Sequence, residues 1–367
     1  MKLFAVGPIP MDSETLEISR FQLPYFRTAA FSDMMLECDQ ILKKLLGADK
    51  DTPSMYLTAD GTGAMEAAVI NIFTKEDRLL IIDGGTFGSR FVKICQIYEI
   101  PHTIIKVPFG QNLTREMVYE HYAGKYTGML VNIHETLSGQ LYDIETISEF
   151  CSKKKITLVV DAISAFLIDR YEMDKFNIAA TVISSQKGLG LAPGLSMLYI
   201  NQETYEERVK KISPKSLLLR FSDYYPEIKR GQTPYTPPIG VIVQLREKLR
   251  RLKCMDLNGV ISHNAGNAAY LRKKLKELGF SYPGTNLSNG VTPVICPDNN
   301  ARQIVSHLVN NDIYVIPSSG ELSDKVFRVG HMGLNVSSED IDVLIECLKS
   351  YGKIRGSANE SHFACGR

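Results

Sequence analysis

Seven short apolar runs mark the first two-thirds of the chain: Met55–Thr58, Leu79–Ile82, Thr103–Lys106, Met129–Ile133, Thr157–Asp161, Thr181–Ser184 and Leu195–Ile200. Most are continuous in branched and long apolar residues rather than alternating with polar ones, the pattern of strands covered on both faces. Between several of them the period lengthens to that of an amphipathic helix, at Thr62–Phe73, Phe87–Tyr98 and Ile144–Lys153. Strand and helix in alternation predict an α/β fold, a mostly parallel seven-stranded sheet flanked by helices.

The final third changes character. Amphipathic helices are expected over Pro238–Lys253 and Asn258–Leu278, strands at Val291–Cys296, Ile313–Ile316 and Val326–Val329, and a helix around Ala301–Asn310. Ser337 with Asp340 three positions on reads as the capped start of a last helix carrying Ile341, Leu344, Ile345 and Leu348. This is a smaller α+β unit, and the Pro-rich segment Thr233–Pro238 marks its boundary. The chain is therefore divided into an N-terminal arm (1–12), a large domain (13–238), a small C-terminal domain (239–354) and a polar tail (355–367) expected to be disordered.

Charge narrows the possible partners. The 367 residues carry 42 Lys and Arg against 41 Asp and Glu, so no global field favours nucleic acid or an anionic membrane. No stretch approaches the roughly 18 apolar residues of a membrane span, and the opening MKLFAVGPIP is too short in apolar residues for a signal peptide. Seven scattered cysteines without a CxxC pair point to free thiols and a cytoplasmic protein. The densest basic run, Arg246, Lys248, Arg250, Arg251 and Lys253, alternates with Leu245, Leu249 and Leu252 and is expected to be the wet face of a helix.

Candidate chemistry sits just after the strands, where open α/β sheets bind ligands. Asp161 ends one strand, and Lys187 follows another in Ser184-Ser185-Gln186-Lys187-Gly188. The two form either a structural ion pair or the two handles of a pyridine cofactor, with the lysine bonded covalently and the carboxylate beside the ring nitrogen. Asp60-Gly61-Thr62-Gly63-Ala64 opens a helix after a strand; it is either a phosphate cradle or a plain tight turn. Phe87, on the loop Gly84–Gly88, either stacks on a flat ring or packs in the core. His134-Glu135 is not part of HExxH, and adjacent residues on an extended chain diverge, so a zinc site is not expected. Arg328, within an apolar strand, requires a carboxylate partner from the protein or from a substrate.

Taken in order along nearly the whole chain, the segments DGTGAMEAAV, GGTFGSR, HETLSGQLYDI, VVDAISAF, VISSQKGLGLAPG, TPYTPP and FRVGHMG resemble the class V, fold-type-I aminotransferases. They are similar to the alanine–glyoxylate (serine–pyruvate) and 2-aminoethylphosphonate–pyruvate groups. The resemblance implies pyridoxal 5'-phosphate as cofactor, Lys187 as the Schiff-base lysine that also moves a proton, and Asp161 as partner of the ring nitrogen. It further implies Phe87 stacked on the ring, Gly61, Thr62 and Gln186 at the phosphate, and Thr136 near the ring substituents. Arg328 is implied at the substrate carboxylate, and Thr236 at the neighbouring subunit's phosphate in a homodimer. The implied reaction carries an amino group from a small amine or amino acid to a 2-oxo acid. Leu137, where the group has a small hydroxyl residue, and Ala165–Asp169, which lacks the group's glycines, bear on the choice of substrate. Arg20, Arg27 and Arg220 fall in segments that the family places near the pocket mouth, as phosphonate ligands or as surface residues. A cysteine desulfurase or lyase of the same fold is the alternative; it needs a cysteine on a loop matching Pro317–Glu321, which has none. A nucleotide-binding α/β protein without this cofactor is a further alternative, weakened by the absence of GxGxxG.

Overall fold

The structure is a computed structural model that describes the backbone of residues 1–364 and the side chains through Gly352. The tail set off at 355–367 lies outside the residues described in full. Seven strands form the central sheet: β1 (Ser54–Leu57), β2 (Leu79–Asp83), β3 (His102–Lys106), β4 (Gly128–Asn132), β5 (Thr157–Asp161), β6 (Ala180–Ser184) and β7 (Ser196–Ile200). Their order is β1-β7-β6-β5-β4-β2-β3. All neighbours run parallel except β7, which is antiparallel to both β1 and β6. The reversal at β7 needs only a loop after β6, whereas the parallel pairs need crossovers.

The sheet separates two apolar cores, because alternate side chains of each strand go to opposite faces. Leu130, Val159, Val182 and Leu198 meet Ala64, Met65 and Ala68 of helix Gly61–Ile72 and Phe91 of helix Gly88–Ile97. On the other face Met129, Leu158, Val160 and Ile183 meet Ile147 and Phe150 of helix Ile144–Lys154 and Leu245 and Leu249 of helix Ile239–Lys253. Helices on both faces make the three-layer arrangement that continuous apolar strands require. By alternation, Asp161 lies on the same face as Val159, toward helix Gly61–Ile72.

One large element had no counterpart in the sequence reading. Helix Ala29–Leu46 is capped by the Thr28 hydroxyl, which accepts from Phe31 N, and it ends on Gly47 at φ 61°. Its buried stripe of Phe31, Met35, Cys38, Leu42 and Leu46 packs on the second core. The basic run of helix Ile239–Lys253 also departs from expectation. Arg246 and Arg250 both pair with Glu37 of Ala29–Leu46, while Lys248 and Arg251 pair with Asp12. Lys248 is buried while Arg250 and Lys253 are exposed, so one edge of this face docks the N-terminal segment and helix Ala29–Leu46 and the other faces water as expected.

The C-terminal unit is a three-stranded antiparallel sheet, Val291–Ile295, Val326–Gly330 and Ile316–Pro317, covered by helices Leu257–Glu277, Ala301–Asn310 and Ser338–Ala364. The expected strand Ile313–Ile316 is split. Ile313–Tyr314 pairs in parallel with Lys2–Leu3, and Ile316–Pro317 pairs with the Arg328 strand, so two neighbours divide the segment at the buried Val315. The capping pair forms as read: Ser337 N donates to Asp340 Oδ2 at 3.0 Å, and Asp340 N to Ser337 Oγ at 3.2 Å. Among the described residues no helix is long and apolar enough to cross a membrane.

Candidate active site

Asp161 closes β5 beside β6, and Lys187 follows the end of β6 by three residues, so both arise at the same rim. The Asp161 carboxylate is buried and receives Ile163 N at 2.8 Å. Burial pushes its pKa up to about 7, against the pull of the Lys187 and Arg90 charges. The Lys187 amine is buried too. Burial brings its pKa down to about 8, opposed by Asp161 and helped by Arg90 and Arg328. Four charged groups from four segments therefore act on one space.

The N-terminal arm covers the lysine. Lys187 Nζ donates to Val6 O at 2.5 Å, and Ile9 N donates to Gln186 O at 3.2 Å. Gly7 crosses at φ +136°, and a β-carbon there would collide with the lysine amine. Gly188, next in the chain, packs against Phe166 O with no space for a side chain, which locks the lysine loop to the segment after Asp161. The arm then continues to the small unit, where Gly330 N donates to Phe4 O.

Across this space the Asp60-Gly61-Thr62-Gly63 turn does open a helix. Asp60 caps it, accepting from Thr62 N at 3.0 Å and Gly63 N at 3.2 Å, with Thr62 Oγ1 on its second oxygen at 3.2 Å. Phe87 is half-buried at the start of the next helix rather than in the core. Its backbone is held by Glu135, a residue read from sequence only as a failed metal ligand. Glu135 is fully buried and accepts from Phe87 N, Gly88 N, Leu137 N and Asn132 Nδ2 at 3.0–3.3 Å. Burial raises its pKa, and these four donors oppose the rise. Arg90 was also missed: its guanidinium lies 4.7 Å from the Phe87 ring centre and donates to Thr62 Oγ1 at 2.9 Å. A lone arginine in an amphipathic helix carries no signal that separates this from a solvated position.

Arg328 enters from the small unit. Among the described residues it pairs with no carboxylate; its Nη2 donates to Pro317 O at 3.3 Å, and Nη1 reaches Thr136 O only at 3.5 Å. Arg328 Nε, Thr136 Oγ1 and His134 Nε2 are buried without partners, an arrangement that leaves donors and acceptors free for a polar ligand. His134 is neutral, its pKa brought down to about 4 by burial. Gln186 is folded back on its own loop, its Oε1 accepting from Ser184 Oγ. Thr236 is exposed, and its carbonyl accepts from Thr58 Oγ1 at 3.1 Å, two residues before Asp60. Of the other arginines singled out, Arg20 pairs with Glu17, and Arg27 donates to Gln232 Oε1, Thr233 O and Pro234 O; the buried Nε of Arg220 has no partner. The arrangement sets a buried amine and a buried carboxylate at one rim of the sheet, with the Arg90 and Arg328 charges acting on them.

Comparison with known proteins agrees with this geometry. The profile of the family described as aminotransferase class-V matches residues 25–344. The chain is 29% identical over 344 residues to an uncharacterized aminotransferase of Methanocaldococcus jannaschii, covering 90% of this chain and 88% of that one. It is 26% identical over 375 residues to the soluble hydrogenase 42 kDa subunit of Anabaena cylindrica, covering 100% and 96%. Among solved structures, an alanine–glyoxylate aminotransferase from Nostoc sp. superposes with a TM-score of 0.87 at 26% identity, over 95% of this chain and 94% of the other.

Proposed function

The chain belongs to the class-V aminotransferases and is a pyridoxal-phosphate-dependent transaminase of fold type I, and on that premise we propose that it moves the amino group of a small amino acid of the alanine or serine type to glyoxylate or pyruvate. The observation that carries this reading is Arg328, a half-buried arginine whose buried Nε has no partner and which pairs with no carboxylate among the described residues, at the site of a buried amine and a buried acid. A 2-aminoethylphosphonate donor would call for a second cationic site at the mouth, where Arg20 and Arg27 already have partners within the chain and Arg220 is the remaining candidate. The fold relative from Nostoc, named for alanine and glyoxylate, supports the alanine-type donor.

The residues present fit the cofactor. A buried amine suits its aldehyde, the Asp161 carboxylate suits a protonated ring nitrogen, and Thr136 Oγ1 lacks a partner that a ring substituent would supply. When bound, the cofactor supplies the aldehyde that joins the amine and the ring that takes up electrons from the substrate α-carbon. Lys187, brought down to about 8, is a neutral base for an appreciable fraction of the time near neutral pH, so it takes a proton at the α-carbon and returns one. Asp161 keeps its charge beside the ring nitrogen. Arg328 orients the substrate carboxylate by a two-pronged contact. Gly61, Thr62 and Gln186 hold the phosphate, Phe87 lies against the ring, and Glu135 fixes the Phe87 backbone. The Val6–Pro8 segment keeps water from the amine.

The active unit is a cytoplasmic homodimer in this reading, with Thr236 reaching the partner's phosphate. Phe21, Tyr25 and Leu217 are 67%, 67% and 70% exposed. Their segments adjoin the Thr236 loop: a β-carbon at Gly240 would meet Leu23, Tyr235 Oη donates to Leu217 O, and Arg27 holds Thr233 and Pro234. An apolar surface beside a site that lacks one of its contacts calls for a second copy. The desulfurase alternative is weakened because the Pro317–Glu321 loop carries no cysteine and Cys296 is buried in the small unit with its thiol pushed up to about 12. The test is to mix the cofactor-loaded protein with a panel of amines and 2-oxo acids and follow the cofactor's absorbance. Conversion by alanine or serine with glyoxylate or pyruvate is expected; conversion by 2-aminoethylphosphonate alone would overturn the donor assignment.

A further inference from the structure

Asp60 presents a difficulty that the family reading leaves open. The helix-start amides of Thr62 and Gly63, natural donors to a phosphate, already carry the Asp60 carboxylate, and the same carboxylate takes the Thr62 hydroxyl. A phosphate brought here meets a negative charge within the cradle, and like charges at this separation oppose binding. Helix dipole and backbone donors offer only partial charge, and Gln186 adds none.

Arg90 supplies what is missing. It donates to the other side of Thr62 Oγ1 at 2.9 Å, its guanidinium lies over Phe87, and it forms no ion pair among the described residues. The nearby acid is thus bound to the turn, and the nearby cation keeps most of its five donors free. We propose that Arg90 is a ligand of the cofactor phosphate, offsetting the Asp60 carboxylate and coupling the phosphate to the ring-stacking Phe87. This rests on the pyridoxal-phosphate reading. An arginine matches phosphate geometry in two-pronged fashion, so its contribution should concern the phosphate and not the aldehyde ring.

The discriminating measurement compares affinities for pyridoxal phosphate and for pyridoxal, read by absorbance titration of the cofactor-free protein. Arg90→Gln is expected to weaken pyridoxal phosphate binding by roughly ten- to a hundredfold and pyridoxal binding much less, so that the preference for the phosphorylated form falls; a purely structural arginine would weaken both together and leave the preference as it was. Arg90→Lys keeps the charge and loses the fork, so it should fall between. Asp60→Ser keeps a helix cap and removes the opposing charge. It should tighten pyridoxal phosphate, leave pyridoxal alone, and lessen the loss caused by Arg90→Gln in the double variant. An unchanged preference for the phosphorylated form in Arg90→Gln, or in Asp60→Ser should the former not fold, overturns the proposal. Failure of the unsubstituted protein to form a borohydride-reducible bond with either aldehyde would instead remove the underlying reading.

Discussion

Replacing Asp161 by asparagine should have opposite effects on the empty and the loaded protein. Without cofactor, the carboxylate is buried with one backbone donor, and its pKa stands at about 7 against an ordinary value of 3.8. At about 1.4 kcal/mol for each pH unit, that gap means that the ionised group opposes folding by up to about 4 kcal/mol. The sign follows from linkage. A folded pKa raised above the unfolded one gives stability that is full below about pH 4 and lost as the pH rises to about 7. Asp161→Asn keeps an oxygen for Ile163 N and abolishes the charge. Cofactor-free Asp161→Asn should therefore unfold at higher urea than the parent at pH 8, and the advantage should vanish near pH 4. With cofactor the order reverses, because only the carboxylate can pair with a protonated ring nitrogen; turnover should fall by about a hundredfold or more. Urea unfolding of both proteins, empty and loaded, at the two pH values is the assay. An empty variant no more stable than the parent at pH 8, or an advantage independent of pH, would refute the reasoning.

Other substitutions probe separate parts of the account. Glu135→Gln turns an acceptor of four donors into a group whose amide faces some of them, and it should cost about 1–3 kcal/mol in urea unfolding and weaken cofactor binding; unchanged binding would show that Phe87 needs no such anchor. Arg328→Ala should raise KM for the 2-oxo acid far more than it alters the cofactor's spectrum, and equal loss of both would place the arginine elsewhere. Ser337→Ala breaks the reciprocal cap of the last helix and should cost about 0.5–2 kcal/mol with activity per folded molecule retained. Gly7→Ala sets a β-carbon against the Lys187 amine at a left-handed φ and should slow or prevent capture of the aldehyde; normal capture would show that the arm moves freely.

Much of this fold was legible because its strands are covered on both sides. Runs such as Leu79–Ile82 and Thr157–Asp161 contain little but strand-forming apolar residues, and their ends fix where a rim carboxylate and a rim lysine must lie. Helix Ala29–Leu46 was legible in principle: Thr28, the stripe from Phe31 to Leu46 and Gly47 are a cap, a buried face and a stop. Helix Phe221–Ile228 was obscured by its internal Pro226. The basic stripe on Ile239–Lys253 misled, since nothing local tells that Asp12 and Glu37 will meet it. Arg90 and Glu135 illustrate the same limit at the site, because their meaning comes from Thr62 and Phe87, residues that only the tertiary fold brings to them. Lys187, Asp161 and Arg328 could be singled out from sequence because each is a charged residue set against an apolar strand, where burial has to be justified by function or by a partner.

The direct test of the central claim is borohydride reduction of the protein loaded with pyridoxal phosphate, followed by peptide mass mapping. One phosphopyridoxyl group is expected, carried by Lys187, and none in Lys187→Ala. A group on another lysine, or an unmodified Lys187 in a protein that has bound the cofactor, would contradict it.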